Sequence, residues 1–263
     1  MKATHIKRSI LLITALLFVQ TLVAQNVPLI NRWSYKTAFL MRKGKWESGL
    51  VQPFRYGISR RVEINANILQ MPIVPNVGVK IFLANKNGFQ MASEHGLQYN
   101  TPLFNLLSRK GTGGILSPQF TFPNMFSFSS TFLVSKQVFD TAFVTARAGV
   151  FLGMRDGYLS PLATVDFPLI YARTSHLFHT CTIRLGADLK GKIVRNWAYD
   201  FDMQFFVIAT KHYNFFMENT GTIMCKVSKH SALKAGYKLC YGSYPFGRQW
   251  HLLPTLDIVF GSK

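Results

Sequence analysis

CTIRLGADLK, from Cys181 to Lys190, alternates strictly between two kinds of side chain. Its odd-numbered positions hold Cys, Ile, Leu, Ala and Leu, whereas its even-numbered positions hold Thr, Arg, Gly, Asp and Lys. A β-strand turns successive side chains to opposite faces, so this segment has one apolar and one charged face. Ten residues is also about the length that a tilted strand needs to cross a bilayer. The stretch therefore predicts one strand of a transmembrane β-barrel, with lipid outside and a polar lumen inside.

The same alternation recurs along most of the chain. Apolar residues alternate with polar or small ones at 62–68, 77–84, 144–152, 164–171, 199–207, 222–227, 233–241 and 255–260. Turn signals such as Asn85–Gly88 and Arg155–Gly157 separate these runs. Weaker candidates lie near 47–56, 96–104, 124–136 and 213–218. The predicted fold is all-β, an antiparallel transmembrane β-barrel of about 12 strands (range about 10–14).

A soluble periplasmic β-sandwich is the rival architecture, because its strands alternate as well. Several runs of this chain keep the alternation for nine or more residues. Strands of soluble proteins usually have about five or six residues. The length of the runs therefore favours the barrel.

The N-terminus has the three parts of a secretory signal peptide. Positive charge at residues 2–8 precedes the apolar run 10–19, and a cleavage point follows at Ala24 or Gln25. The alternative, a single membrane anchor, needs an apolar run of about 20 residues. Because the run is shorter than that, we expect a cleaved signal peptide.

The expected organisation has three parts. Residues 1–25 form the signal peptide, 26–46 an N-terminal lead-in, and 47–263 the transmembrane barrel. The lead-in could add a strand, stay in the periplasm or tuck into the lumen.

The charge of the chain bears on its partners. It has 30 Lys and Arg against 11 Asp and Glu, a formal net charge of +19. Export from the cytoplasm makes nucleic acid an unexpected partner, and a basic exterior would instead meet anionic lipid headgroups. The expected location is the bacterial outer membrane. The expected partners are outer-membrane lipid and lipopolysaccharide, small solutes, and the barrel-assembly machinery during biogenesis.

The polar faces of the predicted strands supply the candidate residues for a lumen lining. These faces carry nearly equal numbers of acidic and basic residues, so most of the positive surplus must lie in turns, loops and the N-terminal region. The candidates are Lys80, Arg147, Asp166, Arg184, Asp188, Asp200, Asp202, Lys234 and Lys238.

The longest break between predicted strands is residues 105–123, a loop with several Gly and Pro. It could fold into the mouth of the barrel or lie on the surface. Its glycines lack the Gly-Lys-Ser/Thr ending of a phosphate loop.

Cys181, Cys225 and Cys240 are too few and too scattered for a disulfide framework. We expect no cofactor and no metal.

A catalytic role finds little support in the sequence. Barrel lipid hydrolases hold His and Ser two positions apart on one strand, as H-x-S, and this order does not occur here. Ser93 and His95 have the spacing in reverse, and His230 and Ser231 are adjacent, which puts them on opposite faces of a strand. His176 and His179 lie in a predicted loop without a third metal ligand. We do not expect an enzyme.

Two stretches resemble a known group of proteins. They are WESGLVQPFRYGISRRVEINANILQMPIVPNVGVK (Trp46–Lys80) and HGLQYNTPLFNLLSRKGTGGILSP (His95–Pro118). Both are similar to uncharacterised outer-membrane barrel proteins of the Bacteroidota. The resemblance implies the same fold and location, and it carries no activity and no functional residue.

Three hypotheses for the function follow. The first is a small pore or transport-type, porin-like channel in which residues 105–123 and the luminal charges set the conductance. The second is a structural or surface-interaction barrel with a filled lumen that binds lipopolysaccharide. The third is a membrane-embedded lipid hydrolase.

Overall fold

The alternating stretches become strands in the structure, a computed structural model. It describes residues 34–111, 115–139, 142–194, 196–210, 215–244 and 247–262. The predicted signal peptide lies outside these residues, as does the lead-in up to residue 33. The strands are β1 (Trp46–Gly49), β2 (Phe54–Gly57), β3 (Val62–Ala66), β4 (Asn76–Lys86), β5 (Phe89–Tyr99), β6 (Met125–Phe139), β7 (Ala142–Arg155), β8 (Cys181–Val194), β9 (Trp197–Ile208), β10 (Phe215–Lys226), β11 (Ser231–Tyr244) and β12 (Gly247–Gly261).

These twelve strands form one closed antiparallel barrel. Each strand pairs with its neighbour in the sequence, and β1 pairs with β12 through Glu47–Gly261, Ser48–Phe260 and Gly49–Val259. The sequence prediction of a barrel of about twelve strands is confirmed, and the two-sheet alternative is wrong.

The two faces of the strands separate as the alternation predicts. On β8, Ile183 and Leu185 point outward and are 45 % and 47 % exposed. Thr182 and Asp188 point into the barrel and are 0 % and 2 % exposed. The outer face is apolar and the inner face is polar, which is the arrangement of a barrel in a membrane.

The two ends of the barrel differ. At one end, here called the turn end, the strands are joined by the short connections 58–61, 87–88, 140–141, 195–196 and 227–230. The opposite end, the loop end, carries the long connections 67–75, 100–124 and 156–180. Short turns face the periplasm and long loops face outward in outer-membrane barrels.

The long connections contain the two helices of the described chain. Helix α1 (Thr101–Leu107) follows β5, with Pro102 in its first turn, and helix α2 (Tyr171–His179) precedes β8. The predicted strand near 96–104 therefore ends at Tyr99. No helix among the described residues is long and apolar enough to cross a membrane.

One predicted strand is wrong. Residues 164–171 alternate, yet the structure has a 3-10 turn at 161–163, irregular chain to residue 170, and then α2. Pro161 and Pro168 lack the N–H that a strand inside a sheet must donate, so this stretch cannot be a central strand. Asp166 consequently lies in the loop-end connection and not on a strand.

The predicted strand near 47–56 is two short strands joined at residues 50–53. The predicted loop 105–123 is confirmed over its described part beyond α1. It folds over the mouth of the barrel, because Phe104 and Leu116 are buried against Met125 and Leu177. The three cysteines are free.

Strand β12 has a free edge on the side of β1. It has 15 residues, whereas β1 has four and pairs only with Val259–Gly261. On that side, no described residue forms a backbone hydrogen bond with residues 248–256. The outward Leu252 and Leu256 are 68 % and 65 % exposed, more than Leu185 on β8, because no strand of the described residues lies beside them on that side.

Candidate functional site

The lumen of the barrel is occupied by the chain itself. Residues 34–45, the plug segment, pass from inside the barrel to the turn end, where β1 begins. The side chains from Thr37 to Met41 are buried. The sequence leaves three placements open for the lead-in, and its described part takes the third, in the lumen.

The main chain of the plug segment is bonded to the barrel strands. The N–H of Ala38 donates to Ser135 Oγ at 2.7 Å, and its carbonyl accepts from Gln90 Nε2 at 3.0 Å. The N–H of Met41 donates to Glu63 Oε2 at 2.7 Å. These partners come from β3, β5 and β6, so the segment is tied to one side of the lumen without joining the sheet.

The side chains at the start of the plug segment face the other side of the lumen. Lys36 Nζ lies 2.7 Å from Asp202 Oδ2 on β9. The ring of Tyr35 is surrounded by the ammonium groups of Lys36, Lys190 and Lys234, which lie 5.8, 5.5 and 5.8 Å from its centroid. Cations near a ring face are attracted by its quadrupole, so Tyr35 helps to hold these like charges together.

The segment leaves the barrel beside Gly57, at the end of β2. A Cβ atom at this position would lie 2.2 Å from the carbonyl oxygen of Arg42. Real side chains do not approach a backbone so closely. A glycine is needed here to let the plug segment pass along the inner surface of β2.

A buried ion cluster lies beneath the plug segment on β1–β4. Arg55 binds both carboxylate oxygens of Glu63, with Nε–Oε1 at 2.7 Å and Nη2–Oε2 at 2.8 Å. Glu47 lies 3.8 Å from Arg55, and Lys80 lies 3.8 Å from Glu63. Lys80 Nζ also donates to the carbonyl of Thr37 at 3.1 Å, which connects the cluster to the plug segment. Buried charges are tolerated because they are paired in this way.

A second cluster lies on β7, β8 and β9. Arg147 Nη2 is 2.8 Å from Asp202 Oδ1 and 3.9 Å from Asp188 Oδ2. Lys190 Nζ is 3.1 Å from Asp200 Oδ2. Asp202 therefore binds Arg147 from the barrel strands and Lys36 from the plug segment at the same time.

Helix α2 closes the loop-end half of the lumen. Its Arg173 binds Glu218 on β10, with Nη2–Oε2 at 2.6 Å, and Lys238 on β11 lies 3.0 Å from the same carboxylate. Its Tyr171 packs on Phe216, with the ring centroids 5.2 Å apart. The approach of the helix to β7 is close, because a Cβ at Gly153 would lie 2.1 Å from the carbonyl oxygen of His176.

The described residues include one buried His–Ser pair, and it is not one that the sequence indicates. His176 Nε2 lies 2.6 Å from Ser127 Oγ, which also accepts from Asn100 Nδ2 at 2.6 Å. The ring of His176 stacks on Phe151, and burial lowers the pKa of His176 to about 4. His176 and Ser127 are 1 % and 3 % exposed, so a substrate has no access to the pair.

The histidines considered from the sequence lie elsewhere. His95 is on the outer face of β5, stacked on Phe128, and no hydrogen bond joins its ring to the hydroxyl of Ser93. The ring of His230 lies beside the carbonyl of Gly261 at the turn end. Among the described residues, no group of three or more His, Cys, Asp and Glu could hold a metal ion.

Little open space remains between the plug segment and the strands. One cavity of about 50 Å³ is bordered by Tyr35, Phe143, Lys190 and Tyr199. A volume of this size holds a few water molecules and no larger solute. The plug segment and α2 thus occupy much of the described lumen.

Most candidates that the sequence indicates lie in this lumen. Lys80, Arg147, Arg184, Asp188, Asp200, Asp202, Lys234 and Lys238 point inward, and Asp166 is the exception. Arg184 donates to Thr131 Oγ1 at 2.7 Å and stacks on Phe151. The sequence analysis missed Arg55, Glu218, Arg173 and the plug segment. Arg55 lies on a strand of four residues, which is too short to show a period of two.

Comparisons with known proteins give structural neighbours only. No protein-family model and no curated protein sequence matches the chain. It is similar to a bacterial polysaccharide outer membrane secretin, with a TM-score of 0.46 and 9 % identity over 82 % of this chain and 70 % of that one. It is also similar to the outer membrane channel DcaP of Acinetobacter baumannii, with a TM-score of 0.39 and 7 % identity over 92 % and 68 % of the two chains.

The P. putida toluene transporter TodX gives a TM-score of 0.36 and 10 % identity over 83 % of this chain and 78 % of that one. These neighbours are bacterial outer-membrane channels and transporters. Because each TM-score is below 0.5, the function proposed below rests on the geometry of this chain.

Proposed function

We propose that the protein is a channel of the bacterial outer membrane whose lumen is closed by its own plug segment and by α2. The observation that carries the proposal is the position of residues 34–45 inside a barrel that they do not join as a strand. The apolar outer face and the charged inner face support a location in the membrane.

The contacts of the plug segment favour a gate over a permanent core. They include hydrogen bonds of its main chain to barrel side chains, a hydrogen bond from Arg55 to the hydroxyl of Ser34, and the ion pair of Lys36 with Asp202. Water can replace each of these bonds, so departure of the segment leaves few unsatisfied groups. The apolar part of the contact involves few side chains. Ala38 and Leu40 pack with Phe82, Ala92 and Leu133, and the ring centroid of Phe39 lies 5.3 Å from that of Phe143. Opening would therefore cost much less than unfolding the barrel.

The bore that opening would expose is polar and nearly balanced in charge. The acidic residues on its lining include Glu47, Glu63, Glu94, Asp188, Asp200, Asp202 and Glu218. The basic residues include Arg55, Lys80, Arg147, Arg184, Lys190, Lys234 and Lys238. A balanced lining gives little preference for ions of either sign. Small hydrophilic solutes are the substrate class that fits it.

Two closures in series act in this scheme, because α2 fills the half of the lumen that the plug segment does not reach. The ion pair between Arg173 and Glu218 holds α2, as that between Lys36 and Asp202 holds the plug segment. Conduction requires both to give way. The same two closures also favour the second candidate function, a structural barrel with a permanently filled lumen.

Single-channel recording in planar bilayers distinguishes the two candidates. We expect the wild type to open rarely and the double variant Lys36→Ala/Arg173→Ala to open more often, because each change removes the ion pair that holds one closure. Lys43→Ala is the matched control, since Lys43 is exposed and forms no ion pair with a described residue. A double variant as silent as the control would contradict the channel and favour the structural barrel.

A further inference from the structure

Basic side chains surround the turn end of the barrel. Each of the five hairpins that close this end carries at least one exposed Lys or Arg, and the plug segment adds more where it leaves the lumen. This basic ring consists of Arg42, Lys43, Lys45, Arg60, Lys86, Lys136, Lys192, Lys226 and Lys229.

The charge of the ring is not neutralised by the described part of the chain. None of its members forms an ion pair with a described carboxylate. The carboxylates nearest to this end, Glu47 and Glu63, are buried in the lumen and paired with Arg55. Among the described residues, exposed basic residues are fewer at the loop end, where Arg109, Lys110, Arg155 and Arg248 are found. The positive surplus of the described residues is therefore concentrated at the turn end.

Aromatic side chains on the outer face indicate the depth at which the basic ring lies in the membrane. Trp46, Trp197 and Phe260 lie on the outer face close to the turn end and are 39 %, 46 % and 46 % exposed. Lys136 Nζ lies 4.6 Å from the ring centroid of Phe89 on the same face. Aromatic belts sit at the boundary between hydrocarbon and water. The basic ring is at this boundary or just beyond it, at the depth of lipid headgroups.

We propose that the basic ring binds the anionic phospholipid headgroups of the leaflet at the turn end. The ring runs around the whole circumference, as lipid does, whereas a protein partner would cover one sector. Basic residues near an anionic surface each add to the attraction, and the attraction falls as salt increases. The proposal rests on the membrane location within the proposed function and does not depend on gating.

Short turns face the periplasm in barrels of this kind, so the leaflet concerned is the periplasmic one. The ring then lies away from the lipopolysaccharide of the outer leaflet. This placement assigns the basic surplus to phospholipid phosphate and leaves the loop end with few groups for lipopolysaccharide.

The test uses the full chain reconstituted in phosphatidylcholine vesicles with or without phosphatidylglycerol. Native mass spectrometry then measures the lipid that remains on the extracted protein. We expect phosphatidylglycerol to be enriched about twofold or more over its share in the vesicle, and the enrichment to disappear at high salt.

The variant R60Q/K86Q/K136Q/K192Q/K226Q/K229Q should lose this enrichment, whereas K110Q/R155Q/R248Q, which changes the loop end, should keep it. If the sixfold variant does not fold, the two halves of it, each with three substitutions, should each lose part of the enrichment. Equal enrichment in the wild type and the ring variants would overturn the proposal, and so would no enrichment in the wild type. A protein that is enriched in phosphatidylglycerol and yet silent in bilayers would overturn the gate and leave the ring intact.

Discussion

Arg55 shows how single residues hold the interior together. Its guanidinium binds both oxygens of Glu63 and contacts Ser34 of the plug segment at 3.0 Å. Both Arg55 and Glu63 are at most 1 % exposed. Loss of one partner leaves the other as an uncompensated buried charge.

We expect Arg55→Ala to lower the free energy of unfolding by about 3–5 kcal/mol, because the carboxylate of Glu63 loses its bidentate partner. Urea unfolding from detergent micelles, followed by tryptophan fluorescence, measures the change. Lys229→Ala removes an exposed charge and should change stability by less than about 0.5 kcal/mol. Equal effects of the two variants would contradict the assignment of the buried pair.

His176 makes the seating of α2 sensitive to pH. Burial holds its pKa at about 4, below the value of about 6.5 in the unfolded chain. The unfolded state therefore binds the proton more readily, and the stabilisation present above about pH 6.5 is lost as pH falls toward about 4. Its neighbours Ser127 and Phe151 carry no charge that could offset this.

The heat-modifiable gel shift of the folded barrel, measured across this pH window, tests the effect. We expect the unfolding temperature of the wild type to fall between about pH 6.5 and 4, and that of His176→Gln to fall less, since glutamine does not take up a proton. Identical pH profiles would show that His176 does not hold α2 in this way.

Among the strands, β12 has a proline, Pro254, whose position fits the free edge of that strand. The N–H of Gly261 donates to the carbonyl of His230, on the side of β11. The carbonyl of Ile258 accepts from the N–H of Leu50, on the side of β1. Odd-numbered residues of β12 therefore face β11 and even-numbered residues face the free edge. Pro254 is at an even position, where the missing N–H breaks no bond.

Leu252→Pro should accordingly be tolerated, because residue 252 also directs its N–H to the free edge. Leu253→Pro should destabilise the barrel by about 1–3 kcal/mol, because it removes a hydrogen bond to β11. The yield of heat-modifiable barrel after refolding compares the two neighbouring substitutions. A larger loss for Leu252→Pro would mean that the edge is paired.

The strands could be predicted from the sequence and the plug segment could not. Alternation is a local property, so β8 and β11 were visible in their own residues. The stretch 164–171 alternates like a strand and is not one. Its proline cannot donate the hydrogen bond that a central strand needs, and the apolar pattern does not show this. The plug segment has no periodicity of its own, and its ion pair joins Lys36 to a residue 166 positions away. The sequence therefore indicates the candidate charged residues but not the residues with which they form ion pairs.

At the scale of the whole molecule, the barrel, its two closures and its basic ring form one arrangement. The strands supply a polar interior, the plug segment and α2 occupy it, and the positive surplus lies outside it at the turn end. The near balance of charge on the inner face follows from this, since buried charges need partners. For the barrel to act as a channel, the plug segment and α2 must be able to leave the lumen.

Whether the plug segment and α2 block conduction is tested with a variant that lacks residues 34–41 and carries Arg173→Ala. The measurement is its single-channel conductance. The heat-modifiable gel shift confirms beforehand that the barrel has folded. The closed-channel account predicts discrete, long-lived openings in the variant with little preference for cation or anion, beside a wild type that is closed for most of the time. A folded variant that stays silent at every salt concentration and voltage would contradict it.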